Sequence, residues 1–78
     1  MPRYFFDIAD QGRGEPDTDG SIHTDAEEAR KEAICTLAHM AKDELPDGNA
    51  HDFTASVRDE SGKVFFRAAL SLRAEWLA

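Results

Sequence analysis

The chain has 78 residues, and its 16 acidic against 9 basic side chains give a formal charge of −7 and a pI near 4.7. That balance argues against general affinity for DNA, RNA or anionic membranes, and the length suits one domain covering residues 1–78. A single cysteine excludes an internal disulfide and fits a reducing compartment, and no run approaches the ~18 apolar residues of a membrane span.

Met1-Pro2-Arg3-Tyr4 enters a strand directly, without a signal-peptide pattern, so the expected location is the cytoplasm. Arg3 to Ile8 alternates, with Tyr4, Phe6 and Ile8 on one face and Arg3, Phe5 and Asp7 on the other. Ala9 to Gly20 is a glycine- and acid-rich loop, long for a hairpin connection. Within it, Glu15, Asp17, Asp19, Gly20 and Ile22 match the front half of a calcium loop. The twelfth position is Ala26 where a bidentate Glu is needed, so a polar turn is the expected role. Ser21-Ile22-His23 is short enough for an edge strand.

Thr24 to Leu45 reads as one long amphipathic helix. Thr24 with Glu27 fits a capping box, and Asp25 with Glu28 is an alternative register of the same device. Ala26, Ala29, Ala33, Leu37, Met40 and Ala41 form its apolar stripe, with Ile34 at the edge. The alanines let the helix lie close to whatever it covers. Leu45-Pro46-Asp47-Gly48 ends it, since Pro46 disfavours helical geometry at Leu45.

Asp52 to Arg58 alternates, with Phe53, Ala55 and Val57 inward, and Asp59-Glu60-Ser61-Gly62 forms a hairpin turn. Lys63 to Arg73 is the last strand, with Val64, Phe66, Ala68, Leu70 and Leu72 inward and Phe65, Arg67, Ala69, Ser71 and Arg73 outward. Ala74 to Ala78 extends its parity, placing Trp76 inward as core or rim. The resulting order is ββαββ: an α+β fold in which a four-stranded antiparallel sheet carries one long helix on one face. Strand orders 2-1-3-4 and 1-2-4-3 both satisfy this; the aromatic first strand favours the former.

One helix covers one face, so the other is left for water or a partner. By parity that open face collects Arg3, Phe5, Arg58, Phe65, Arg67 and Arg73, with Thr54 and Ser56. Aromatic and arginine anchors of this kind suit a protein–protein interface or self-association. The alternative is a single-stranded nucleic-acid platform, with the phenylalanines stacking bases and the arginines holding phosphate. The bland reading is a solvated face on which arginine stems shield each phenylalanine.

Cys35 and His39 are four apart on the polar helix face, but two ligands make no metal site, and His23 and His51 lie beyond the helix ends. Asp52, Asp59 and Glu60 have no apolar pocket to raise a pKa, and no serine sits in a nucleophile elbow. No catalytic residue, cofactor, metal or small-molecule substrate is therefore expected, and the chain reads as non-enzymatic.

Met1-Pro2-Arg3-Tyr4-Phe5-Phe6-Asp7, the helix start Asp25-Ala26-Glu27-Glu28-Ala29-Arg30-Lys31-Glu32-Ala33, Asp43-Glu44-Leu45-Pro46-Asp47-Gly48 and the Phe53 to Gly62 hairpin occur together. In that combination the chain resembles, over essentially its whole length, a family of small bacterial domains of unknown function of the DUF6894 type. The resemblance implies a small cytoplasmic bacterial protein and brings no activity, cofactor or catalytic residue with it. The expected function is a binding or regulatory module whose partner surface is the open sheet face.

Overall fold

Alternating apolar residues make half-buried strands, and a stripe of alanines makes a helix that can settle close above them. The computed structural model describes residues 2–45 and 48–78. In chain order the elements are β1 (Arg3–Asp10), β2 (Ser21–Ile22), helix α1 (Ala26–Glu44), β3 (Ala50–Arg58) and β4 (Val64–Arg73). All pairings are antiparallel and the sheet order is β2-β1-β3-β4, the arrangement the aromatic first strand favours.

Register explains the core. Phe6 faces Val57 and Val57 faces Phe66; Ile8 faces Ala55 and Ala55 faces Ala68; Phe53 faces Leu70. These rows lie under α1, where Ala29, Ala33 and Leu37 are buried together with Tyr4, Phe53, Ala55 and Val57. Ala29, Ala33 and Ala55 have no accessible surface, so the small side chains of helix and sheet meet directly. Phe6, Ile8, Met40, Ala41, Phe66 and Ala68 pack around this centre half-buried.

Parity fails at the start of β4. A bulge between Val57 and Arg58 makes Val57 face Phe66 while Arg58 faces Val64, so Phe65 is the extra residue. A one-residue insertion swaps the faces of whatever precedes it. Val64 therefore sits opposite the open-face Arg58, and the Phe65 ring lies edge-on to the core residue Tyr4 at 5.7 Å between centroids. The expected outward Phe65 is thus on the helix side, 37% exposed.

The helix start uses the Asp25/Glu28 register, not the Thr24/Glu27 one. The Glu28 N–H donates to Asp25 Oδ1 at 2.9 Å. Glu28 in turn accepts from the Thr24 amide at 3.2 Å and the Thr24 hydroxyl at 3.0 Å. At the far end Leu45 is extended (φ −94, ψ 148), the geometry favoured before a proline, and its N–H still donates to Ala41 O. Pro46 and Asp47, part of the expected stop signal, lie outside the described residues.

Candidate functional site

The open face begins at β1 and β3, where Phe5 faces Arg58 and Asp7 faces Ser56. Arg58 closes a fork on Asp7, with Nε at 2.7 Å from Oδ2 and Nη2 at 3.1 Å from Oδ1. Its Nη2 also donates to the Asp17 carbonyl at 2.8 Å, and the guanidinium lies 5.1 Å from the centre of the Phe5 ring. The hydrogen bond from Arg58 holds the Asp7 carboxyl below the usual carboxylate range and raises the arginine in return.

Asp17, on the loop between β1 and β2, completes the cluster. Its amide donates to Asp7 Oδ1 at 2.9 Å, and its carboxylate accepts the N–H groups of Phe6 (3.1 Å), Asp19 (3.1 Å) and Gly20 (3.0 Å). The Gly20 and Phe6 bonds lead in lowering its pKa. The Asp17 carboxylate is thus spent on amides of β1 and of the loop itself, as in a polar turn. The loop also folds back onto the sheet. Glu15 and Pro16 stand beside Asp7, Thr54 and Ser56 around a shallow recess. A Cβ at Gly20 would fall 2.9 Å from both Phe5 Cε2 and Arg3 Cγ.

The open face is consequently not bare: its β1 half is roofed by the loop. Arg3, Phe5 and Arg58 come together there, but as the loop's seat, with Arg3 Nη1 donating to the Asp19 carbonyl at 2.9 Å. Arg67 and Arg73 lie apart from them on β4, on Ser56 (3.1 Å) and on Asp52 (3.1 and 3.2 Å) respectively. Arg73 is the first cause of a lowered Asp52 pKa. Phe65 is on the other side. The six residues grouped by parity therefore divide into a loop clasp, an edge pair and a core-side ring. Asp17, the hub of the clasp, had no sequence signal beyond its place in an acidic turn.

Cys35 and His39 share an exposed stretch of α1 with Ala38 and Lys42. Among the described residues no group of three or more His, Cys, Asp or Glu side chains is placed to hold a metal ion. His51 is buried, pairs with Asp10 and stacks on Phe53, while His23 lies against Tyr4 and Phe6. Both act at strand ends.

The exposed apolar surface is elsewhere. β4 forms one edge of the sheet. Beside it Ile34, Leu37 and Ala38 of α1 and Ala68, Ala69 and Leu70 of β4 line an apolar groove. Ile34, Phe65 and Leu70 on that side are all substantially exposed. Just past the strand, Trp76 is 93% exposed and Leu77 is 83% exposed, which corrects the expectation that Trp76 joins the core or its rim. The Ala74 N–H still donates to Asn49 O at 2.7 Å, but β3 reaches no further to receive the residues after it.

Four antiparallel strands under one close-set helix, with a long uncovered edge strand, define a small α+β ββαββ domain. The chain belongs to the family described as Domain of unknown function (DUF6894), whose model matches residues 3–71. Neither the curated proteins nor the solved structures contain a match. No helix of the described residues is long and apolar enough to cross a membrane.

Proposed function

We propose that this protein is a small non-enzymatic interaction module that docks a protein partner along β4. The observation that carries this reading is the coincidence of a 10-residue edge strand with an exposed apolar margin on its helix side. An unpaired edge offers a row of main-chain donors and acceptors, and strand addition uses them for affinity while flanking side chains select the partner. Ile34, Leu70 and Trp76 supply the apolar contacts, and Arg67 and Arg73 supply charge on the opposite side of the same edge.

The open face of the sheet contributes through that β4 half; Arg3, Phe5 and Arg58 act there indirectly, by fixing the loop. Nucleic-acid binding by the arginines is the weaker reading. Arg58 and Arg73 are each matched by a carboxylate, and the chain carries a net −7, so little positive potential is left to hold phosphate. Its single exposed cysteine suits the cytoplasm.

A photoreactive amino acid placed in turn at Ala69, Thr54 and Lys31, activated in intact cells, tests the reading. A discrete protein adduct, identified by mass spectrometry, is expected from Ala69 on the edge and not from Lys31 on the far side of the helix. Adducts from Thr54 alone would return the interface to the middle of the open face. Equal, diffuse labelling from all three positions would sink a specific interface.

A further inference from the structure

The residues that follow β4 suggest what that edge receives. We infer that the partner is a second copy of this chain, joined β4 to β4 antiparallel about a two-fold axis at Ser71, in one eight-stranded sheet with both helices on the same side. This rests on the reading of β4 as the docking edge.

A two-fold axis perpendicular to the sheet places side chains of like parity opposite each other, so helix side meets helix side. Charge then separates the register centred on Ser71 from its two neighbours. Centred on Ser71, Arg67 of each protomer stands opposite the partner's Glu75. Neither Arg67 nor Glu75 has an ion-pair partner within the chain among the described residues. Centred on Leu70, Arg67 would instead face Arg73, a destabilising like-charge pair. Centred on Leu72, Arg67 would face Leu77 and Glu75 would face Ala69, leaving both charges unmatched.

The Ser71 register also accounts for the exposed tail. Continuing the alternation of β4 puts Trp76 on the helix side, opposite Phe66 of the partner, an aromatic cross-strand pair. Leu70 faces Leu72 beside the groove lined by Ile34 and Leu37, and Ala68 faces Ala74. Trp76, 93% exposed in one copy, thereby gains the cover that its own sheet does not give it.

Sedimentation velocity over a concentration series, with the variants Arg67→Glu, Glu75→Arg and the exchange of both, tests partner and register together. A reversible dimer is expected from the parent chain. Each single variant sets like charges opposite each other twice per dimer and should weaken it about tenfold, and the exchange should restore it to within about threefold. In a Cys35→Ser background, Ser71→Cys should form an interchain disulfide on mild oxidation faster than Leu70→Cys or Leu72→Cys.

A parent chain that stays monomeric to high micromolar concentration overturns the inference. If Ala69 still yields a photoadduct with a different protein, the interaction-module reading survives and only the second copy is lost. A dimer that ignores the charge exchange and cross-links fastest through Leu70→Cys or Leu72→Cys overturns the register.

Discussion

The Asp17 carboxylate accepts backbone N–H groups from Phe6, Asp19 and Gly20, joining β1 to the loop that returns over it. Removing it leaves those donors without their charged acceptor, so Asp17→Ala should cost about 2 kcal/mol in urea unfolding. Asp7 and Asp17 both have folded pKa values below the ordinary 3.8. Groups depressed on folding stabilise fully above their unfolded pKa, and that contribution drains away as pH falls through the folded value. The urea midpoint of the parent chain should therefore fall with acid below about pH 4, more steeply than that of Asp17→Ala. An equal acid slope in both would remove Asp17 from this role. Gly20, at φ +70, has Tyr4 O as well only 2.9 Å from where a methyl group would stand, and so admits no side chain; Gly20→Ala should cost about 1–3 kcal/mol by the same assay.

Two elements show what the sequence reveals about shape and what it withholds. The helix stripe and the alternation of Tyr4, Phe6 and Ile8 with Phe53, Ala55 and Val57 set the covered face correctly, because burial imposes periods that side-chain type records. The same periods left two strand orders open, and the aromatic first strand favoured the observed one, in which it lies between neighbours. The bulge left no such trace. It lies at the foot of the Asp59–Lys63 turn, where Asp59 accepts the Ser61 and Lys63 amides and Gly62 sits at φ +89. One inserted residue was enough to move Phe65 from the open face to Tyr4. The clasp was hidden for a related reason: acids of a polar loop look alike until the chain path chooses which one meets β1. Phe65→Ala should accordingly destabilise the single copy, by about 1 kcal/mol for a ring that is 37% exposed but rests on Tyr4, whereas Trp76→Ala should leave its unfolding unchanged at dilute concentration and weaken only the dimer. Chemical denaturation below the dimer dissociation constant separates the two variants.

At the scale of the whole molecule, the charge of −7 turns the paired-sheet proposal into a prediction whose sign differs from that of phosphate binding. Protomers joined along β4 have centres about 20 Å apart, set by short dimensions of 20 and 19 Å. Like charges of that size repel by several kcal/mol at about 0.01 M salt, where the screening length is about 30 Å, and by under about 1 kcal/mol at physiological salt, where it is about 8 Å. The Arg67–Glu75 pairs are screened too, but exposed pairs contribute only about 0.2–1 kcal/mol each, so relief of the net repulsion wins. Dimerisation should therefore tighten as salt rises from about 0.01 to about 0.15 M, and thermal unfolding should rise with protein concentration at the higher salt. Contacts between arginines and a phosphate backbone weaken over the same range. Sedimentation and calorimetry at the two salts check the direction, and an association that loosens with added salt would place attraction between opposite charges, in place of apolar strand pairing, at the centre of the interface.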